Sequence, residues 1–397
     1  MYAEEMYRLG TNRSVIRDLF EYGNKRKAQI GAENVFDFSL GNPNVPAPES
    51  VKEVLADLIQ KEDPVALHSY TSAQGDAKVR QAIAEYVNGQ HGTSLTADNF
   101  YMTVGAAASF TISLKALAEP EDEFIVFSPF FPEYRVFVEG VGAKLVVVES
   151  DPKDFQIDKE AFRLAVTPHT KGVIVNSPNN PSGVVLTEEC IQGICQVLEE
   201  KQKEYGKEIF LIADEPYREL VYGDVKVPYL MNYYDNTLVC YSYSKSLSLP
   251  GERIGYVVVP DEAVDAEELI RGIEISNRTL GFVNAPSLIQ KAVARCLEEK
   301  TDVTFYDENR SRLYEGLTKL GFTCIKPEGA FYLWVKSPVE NEEEFVNEGK
   351  KFNLLMVKGS AFGCPGFVRL AYCVSHETVE HSLPAFAKLA AVYGLEK

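Results

Sequence analysis

The chain has 397 residues, 45% apolar and 25% charged, so it can bury a sizeable core and belongs with soluble globular proteins rather than disordered or fibrous ones. Its formal net charge of −18 argues against nucleic acid or an anionic membrane as the main partner, and no run of about 18 apolar residues marks a membrane span. The seven cysteines (Cys190, Cys195, Cys240, Cys296, Cys324, Cys364 and Cys373) are odd in number and form no CxxC, and the five histidines are scattered; this argues against a zinc site or a disulfide framework and fits a reducing, cytoplasmic setting.

The first residues, "MYAEEMYRLGTNRS", lack the apolar core of a secretory signal. "FDFSLGNPNVPAPES" reads as a linker into the body of the chain. From about residue 100 the pattern alternates. "EFIVFSP" (123–129), "AKLVVVES" (143–150), "KGVIVNSP" (171–178), "EIFLIADEP" (208–216), "TLVCYSYS" (237–244) and "IGYVVVP" (254–260) are short apolar runs, mostly rich in β-branched residues. They read as strands buried on both faces. Helical segments separate several of them, such as "TEECIQGICQVLEEKQKEYG" (187–206), which opens on Thr187 with Glu in its first turn. The expected fold class is therefore α/β, with a mostly parallel sheet flanked by helices. From about residue 287 the rhythm changes to helices followed by "FTCIKP", "AFYLWVK", "LLMVKG" and "FVRLAYCV", then a last helix. This reads as a smaller α/β layer, giving an expected large domain of residues 44–286 and a small domain of 1–43 with 287–397.

In such sheets ligands collect at the carboxyl ends of the strands. Asn180, Asp214 and Lys245 all follow or end predicted strands. A lysine held in a dry pocket beside other cations becomes a nucleophile toward carbonyls. Pyridoxal phosphate is one partner for such a lysine, and its ring nitrogen needs a carboxylate, for which Asp214 is the candidate. "YMTVGAAASFTISLKALAEP" reads as strand, small-residue turn and helix. The turn Gly105-Ala106-Ala107 serves either close packing or, through free amides at the helix N-terminus, a phosphate. Ser242, Ser244 and Arg253 would complete a phosphate cup.

With these residues in view, the chain resembles the class I/II pyridoxal-phosphate-dependent aminotransferases, of fold type I. "YSYSKSLSLPGERIGY" resembles that family's lysine signature, "NSPNNPSGVV" its N-P-[ST]-G element, "DEPYREL" its D-x-x-Y element and "FVRLAY" its C-terminal arginine motif; "EGAFYLW" and "GSAFG" also fit. The matches keep the family's order over residues 35–375. The resemblance implies that Lys245 would carry the cofactor covalently and move a proton, while Asp214 pairs with the ring nitrogen. Tyr217 and Asn180 would bond the ring's phenolic oxygen, and Phe131, or its neighbour Phe130, would stack on the ring. Ser242, Ser244, Arg253 and the amides of Ala106 and Ala107 would hold the phosphate. Arg369 would clamp the substrate α-carboxylate, with Asn180 and the Gly41 amide assisting.

The resemblance further implies that Tyr70 reaches the phosphate of a neighbouring subunit, making a homodimer with shared sites. Arg278, in "EISNRTLGFVNAP", falls in a segment that lies near the substrate entrance in this family, which makes it a candidate reader of a second carboxylate. The expected activity is transfer of an amino group from an L-amino acid to a 2-oxo acid. A carbon–sulfur β-lyase or an amino-acid decarboxylase on the same scaffold is the alternative. Two departures, Glu252 in "LPGERIGY" and Lys358 in "VKGSAFG", would alter substrate access.

Overall fold

The computed structural model describes residues 4–11 and 15–395. Among them, strands β1 (Phe36–Asp37), β2 (Phe100–Thr103), β3 (Glu123–Ser128), β4 (Lys144–Glu149), β5 (Thr170–Asn176), β6 (Phe210–Asp214), β7 (Thr237–Ser242) and β8 (Gly255–Val258) precede five more near the C-terminus. These are β9 (Cys324–Ile325), β10 (Tyr332–Lys336), β11 (Leu354–Leu355), β12 (Val357–Lys358) and β13 (Phe367–Ala371).

The main sheet has the order β2-β8-β7-β6-β5-β3-β4. Pairs from β7 through to β4 are parallel, and β8 runs antiparallel to both β7 and β2. Because side chains alternate along a strand, each central strand feeds two cores. Ile125, Val173, Leu211 and Val239 pack on one face, whereas Phe124, Ile174, Ile212 and Leu238 pack on the other. Helices cover both faces, as the period-2 and period-3.6 patterns require. The outermost strand β4 departs from the expectation of two buried faces. It pairs on one side only: Val148 is buried, Leu145 and Val146 are half-buried and Val147 is 37% exposed, whereas β2 at the opposite edge is buried throughout.

A second layer has the antiparallel order β12-β13-β10-β9 and its own core, which includes Leu313, Leu333, Leu370 and Phe386. The N-terminal segment closes onto it. β1 pairs in parallel with β11 (Phe36 opposite Leu354, Asp37 opposite Leu355), and Leu19 of the helix Val15–Ile30 packs with Leu355 and Val357. Lys27 bridges Asp37 at 2.8 Å.

The helix Ser287–Ala294 buries Ile289 and Val293, and Cys296 just beyond it, in the core under the seven-stranded sheet. The chain changes partners only afterwards, at the helix Val303–Lys319, whose Leu313 and Leu317 belong to the C-terminal core. No described helix is long and apolar enough to cross a membrane.

Candidate active site

The strand ends do converge. Asp214 is the last residue of β6, Asn180 lies in the loop after β5, and Lys245 sits in the short turn Tyr243–Ser246 that follows β7. Ser242 caps that turn, its Oγ accepting from the Ser244 amide at 3.2 Å and lying 2.7 Å from Ser244 Oγ. Arg253, with φ +50°, donates to Ser244 Oγ at 3.5 Å and to the Pro250 carbonyl at 3.1 Å. Across from it begins the helix Ala106–Leu117, with Gly105 at its N-cap. Gly105 has φ +92°, and a Cβ there would fall 2.6 Å from Arg253 Nη2. Glycine therefore lets the guanidinium lie against the helix start. The amides of Ala106 and Ala107, in the first turn, have no intrahelical acceptor. Two hydroxyls, a guanidinium and free amides at a positive helix end make a cup for a dianion.

Lys245 Nζ donates to the Gly41 carbonyl at 3.0 Å and lies 5.3 Å from the centre of the Phe331 ring. Burial lowers its pKa to about 8, and the nearby Arg253 and Arg369 act in the same direction against an opposing contribution from Cys373. Asp214 is buried and has no cation partner among the described residues; Tyr134 donates to its Oδ2. Burial raises the Asp214 pKa to about 7, helped by Glu215 and opposed by the Tyr134 bond. Asn176 ties the strand ends together: its Nδ2 donates to the Asp214 carbonyl at 2.9 Å, and its Oδ1 accepts from the Asn180 amide at 2.8 Å.

The opposite wall comes from the C-terminal layer. Arg369, on β13, is 2% exposed. It donates to Asn180 Oδ1 at 3.0 Å and to the Ser39 carbonyl at 2.6 Å, and its Nε has no partner among the described residues. It lies between the rings of Tyr332 and Phe362, 4.6 and 4.7 Å from their centres. Every partner is neutral, so this buried cation lacks the anion that would offset its desolvation. Tyr217 and Tyr332 share a hydroxyl–hydroxyl bond of 2.8 Å, and burial, followed by the proximity of Tyr332, holds the Tyr217 phenol well above its ordinary pKa.

These groups line one cavity of about 360 Å³. Of the residues named from sequence, Gly41, Ala106, Ala107, Phe131, Asn180, Asp214, Tyr217, Ser242, Ser244, Lys245, Arg253 and Arg369 face it, and Gly105 backs the cup. Phe130 turns away into the core, its amide bonded to the Phe362 carbonyl. Tyr70 does not line the cavity of its own chain and is 90% exposed; Arg278 is exposed at the end of the helix Ala266–Thr279. Sequence reasoning gave no role to Tyr134, Tyr332 or Asn176, nor to Ile16 and Arg17 at the N-terminal side. Tyr134 lies three positions past Phe131, nearly one helical turn, and that spacing was an available signal.

The residues fit pyridoxal phosphate on observations of this structure. The dianion cup, the low-pKa amine, the carboxylate awaiting a cation and the arginine awaiting an anion all open into a single space. Such a combination on an α/β sheet defines a lysine-dependent pyridoxal phosphate enzyme. Comparison with known proteins specifies which. The family model for aminotransferase class I and II matches residues 33–386, and the chain belongs to that family. It is 31% identical to an aspartate aminotransferase of Thermotoga maritima, covering 93% of this chain and 95% of that one. It is 30% identical to the aspartate/prephenate aminotransferase of Thermus thermophilus, covering 88% and 89%. Among solved structures, an aminotransferase from Eubacterium rectale superimposes with a TM-score of 0.97 at 54% identity over 99% of both chains. The Thermus thermophilus aspartate aminotransferase with maleate gives a TM-score of 0.87 at 26% identity, covering 98% of this chain and all of that one. The protein is thus a pyridoxal-phosphate-dependent aminotransferase of fold type I, moving an amino group from an amino acid to a 2-oxo acid.

Proposed function

We propose that amino transfer takes place in the cavity around Lys245, with the roles the sequence suggested. The carrying observation is the placement of Lys245 Nζ: a partly buried amine in one space with Asp214, Arg253 and Arg369, its pKa lowered to about 8 by desolvation. Ser242, Ser244, Arg253 and the Ala106 and Ala107 amides hold the cofactor phosphate. Asp214, kept in place by Tyr134 and Asn176, faces the ring nitrogen. Tyr217 and Asn180 offer donors to the ring oxygen, and Phe131 covers the ring. When bound, pyridoxal phosphate supplies an electron sink for charge developing at the substrate Cα. Arg369 orients the substrate by its α-carboxylate, with Asn180 and Gly41 beside it. Lys245 Nζ, once free, takes the proton from the substrate Cα as a general base. The aromatic walls Phe131, Tyr134 and Tyr332 keep bulk water from that proton. Borohydride treatment of the yellow holoenzyme, followed by peptide mapping, should place the cofactor on Lys245; a label on another lysine overturns the assignment.

The active unit on this reading is a homodimer. The exposed Tyr70 stands near the exposed Phe282 and Val283, because Asn284 Nδ2 donates to the Ser72 carbonyl at 2.8 Å and brings the two loops together. Tyr70 then serves the phosphate of the other subunit. If inactive Lys245→Ala chains exchange with weakened Tyr70→Phe chains, each hybrid has one intact site, and activity rises above both parents. Activity equal to the parental average, with exchange confirmed by mass, defeats the shared site. The packing of Cys296 and Leu313 supports two domains divided near residue 300, with residues 1–43 joining the C-terminal one. Seven unpaired cysteines support a cytoplasmic setting.

A further inference from the structure

Four cations line the cavity, and the roles above use three. Arg253 serves the phosphate, Lys245 the cofactor carbon and Arg369 the α-carboxylate. The fourth is Arg17, on the helix Val15–Ile30. It has no ion pair or hydrogen bond among the described residues, although neighbouring cations do: Arg8 bridges Glu139, Arg26 donates to Asn353 and Lys27 bridges Asp37. Lys25 on the same helix is likewise without a partner among the described residues, but it does not line the cavity; Arg17 is the unpartnered cation of this helix that does.

Its placement is fixed from behind. Leu19 is buried against Val35, Leu355 and Val357, and Gly23 lies so close to Asp37 and Leu355 that a Cβ would meet both. These contacts set the rotation of the helix and present Ile16 and Arg17 to the cavity. The surfaces beside them are apolar, from Leu40, Phe131 and Phe137, suited to a short carbon chain ending in a charge. Besides Asp214, the carboxylate that lines the same space is Glu133, which forms no ion pair with Arg17. Arg278, the sequence's candidate, does not face the cavity of its own chain.

We propose that Arg17 reads a second acid group at the far end of the substrate side chain, so that the preferred partners are a dicarboxylic amino acid and its 2-oxo acid. This rests on the site reading above, in which Arg369 is already committed to the α-carboxylate. Arg17 is exposed and unpaired, so replacing it leaves packing intact.

The test compares holoenzymes by kcat/KM for aspartate, glutamate and alanine with 2-oxoglutarate held fixed. The wild type should favour aspartate or glutamate over alanine. Arg17→Gln should lower that ratio about tenfold to a hundredfold, the range for losing a charge-assisted bond. Arg17→Lys should restore part of it, and Glu133→Gln should raise it by removing a repelling charge. A ratio unmoved in Arg17→Gln, a wild type that prefers alanine, or a ratio that collapses only in Arg278→Gln overturns the proposal. Failure of the underlying site reading looks different: borohydride then labels a lysine other than Lys245, whatever the ratio does.

Discussion

On one wall of the cavity, Ser242, Ser244, Lys245 and Arg253 come from a single stretch of chain; the serines and Arg253 bond to one another, and Lys245 Nζ reaches across to the Gly41 carbonyl. On the other, Ser39, Gly41, Tyr332 and Arg369 come from positions spread over most of the sequence, joined by β10 pairing with β13 and by the Phe38 carbonyl accepting from the Ala371 amide. The first wall holds its own geometry. The second exists only when distant segments meet, and it leaves Arg369 with neutral partners. A cup for an invariant cofactor can be local. A clamp that must accept and release successive substrates needs groups that each half presents to the other.

Breaking the first wall at its centre should have the largest effect. Lys245→Ala should lose turnover by at least the ~10²–10⁴-fold typical of a general base, and all borohydride labelling, while the cup still retains the cofactor. Retained turnover would show that the wall is not the chemical one. Next comes the second wall: Arg369→Ala should cost about 2–5 kcal/mol in kcat/KM for amino acids. Amines lacking the carboxylate should lose far less, and equal losses would make Arg369 structural.

Gly105→Ala sharpens the comparison from the cofactor side. The backbone at φ +92°, ψ 169° disfavours any side chain by about 1–3 kcal/mol, and the new Cβ pushes Arg253 out of the cup. Cofactor affinity should fall about tenfold, with little change in the aspartate-to-alanine ratio. The smallest effect is a midpoint. Capture of an aldehyde needs the unprotonated amine, and a pKa lowered to about 8 leaves half of Lys245 unprotonated there. The rate of cofactor capture by the apoenzyme should rise with pH and level off just above 8. A rise that continues toward 10.5 would mean the amine is not dry.

The same contrast explains what could be read from sequence. The stretch 241–256 announces the first wall because serines, lysine and arginine between two apolar strands have few structural uses there. Asp214 and Asn180 were legible because alternating strands and helices put strand ends on one edge. Arg17 was not, since helical periodicity in Val15–Ile30 says that one face is buried but not what the other face meets. The packing of the segment after residue 286 was hard to read for a related reason. Ser287–Ala294 is amphipathic, and nothing in an amphipathic pattern names which of two cores will take its apolar face. β4 misled because a Val-rich run does not say how much of the strand its neighbours will cover.

The two-residue pairing of β1 with β11 has a consequence for how the enzyme comes into being. Phe36 leaves the ribosome roughly 300 residues before its partner Leu354, a delay of about 15–60 s at ordinary rates of synthesis. Throughout that interval the strands that carry Asp214 and Lys245 can assemble and the Gly41 carbonyl can accept from Lys245, while Phe38 and Ser39 still lack their partners Ala371 and Arg369. A nascent chain stalled after residue 300 would present the local cup without the clamp. Such a chain should capture cofactor and ignore amino acids, so the order in which the enzyme is made repeats the order in which it is loaded.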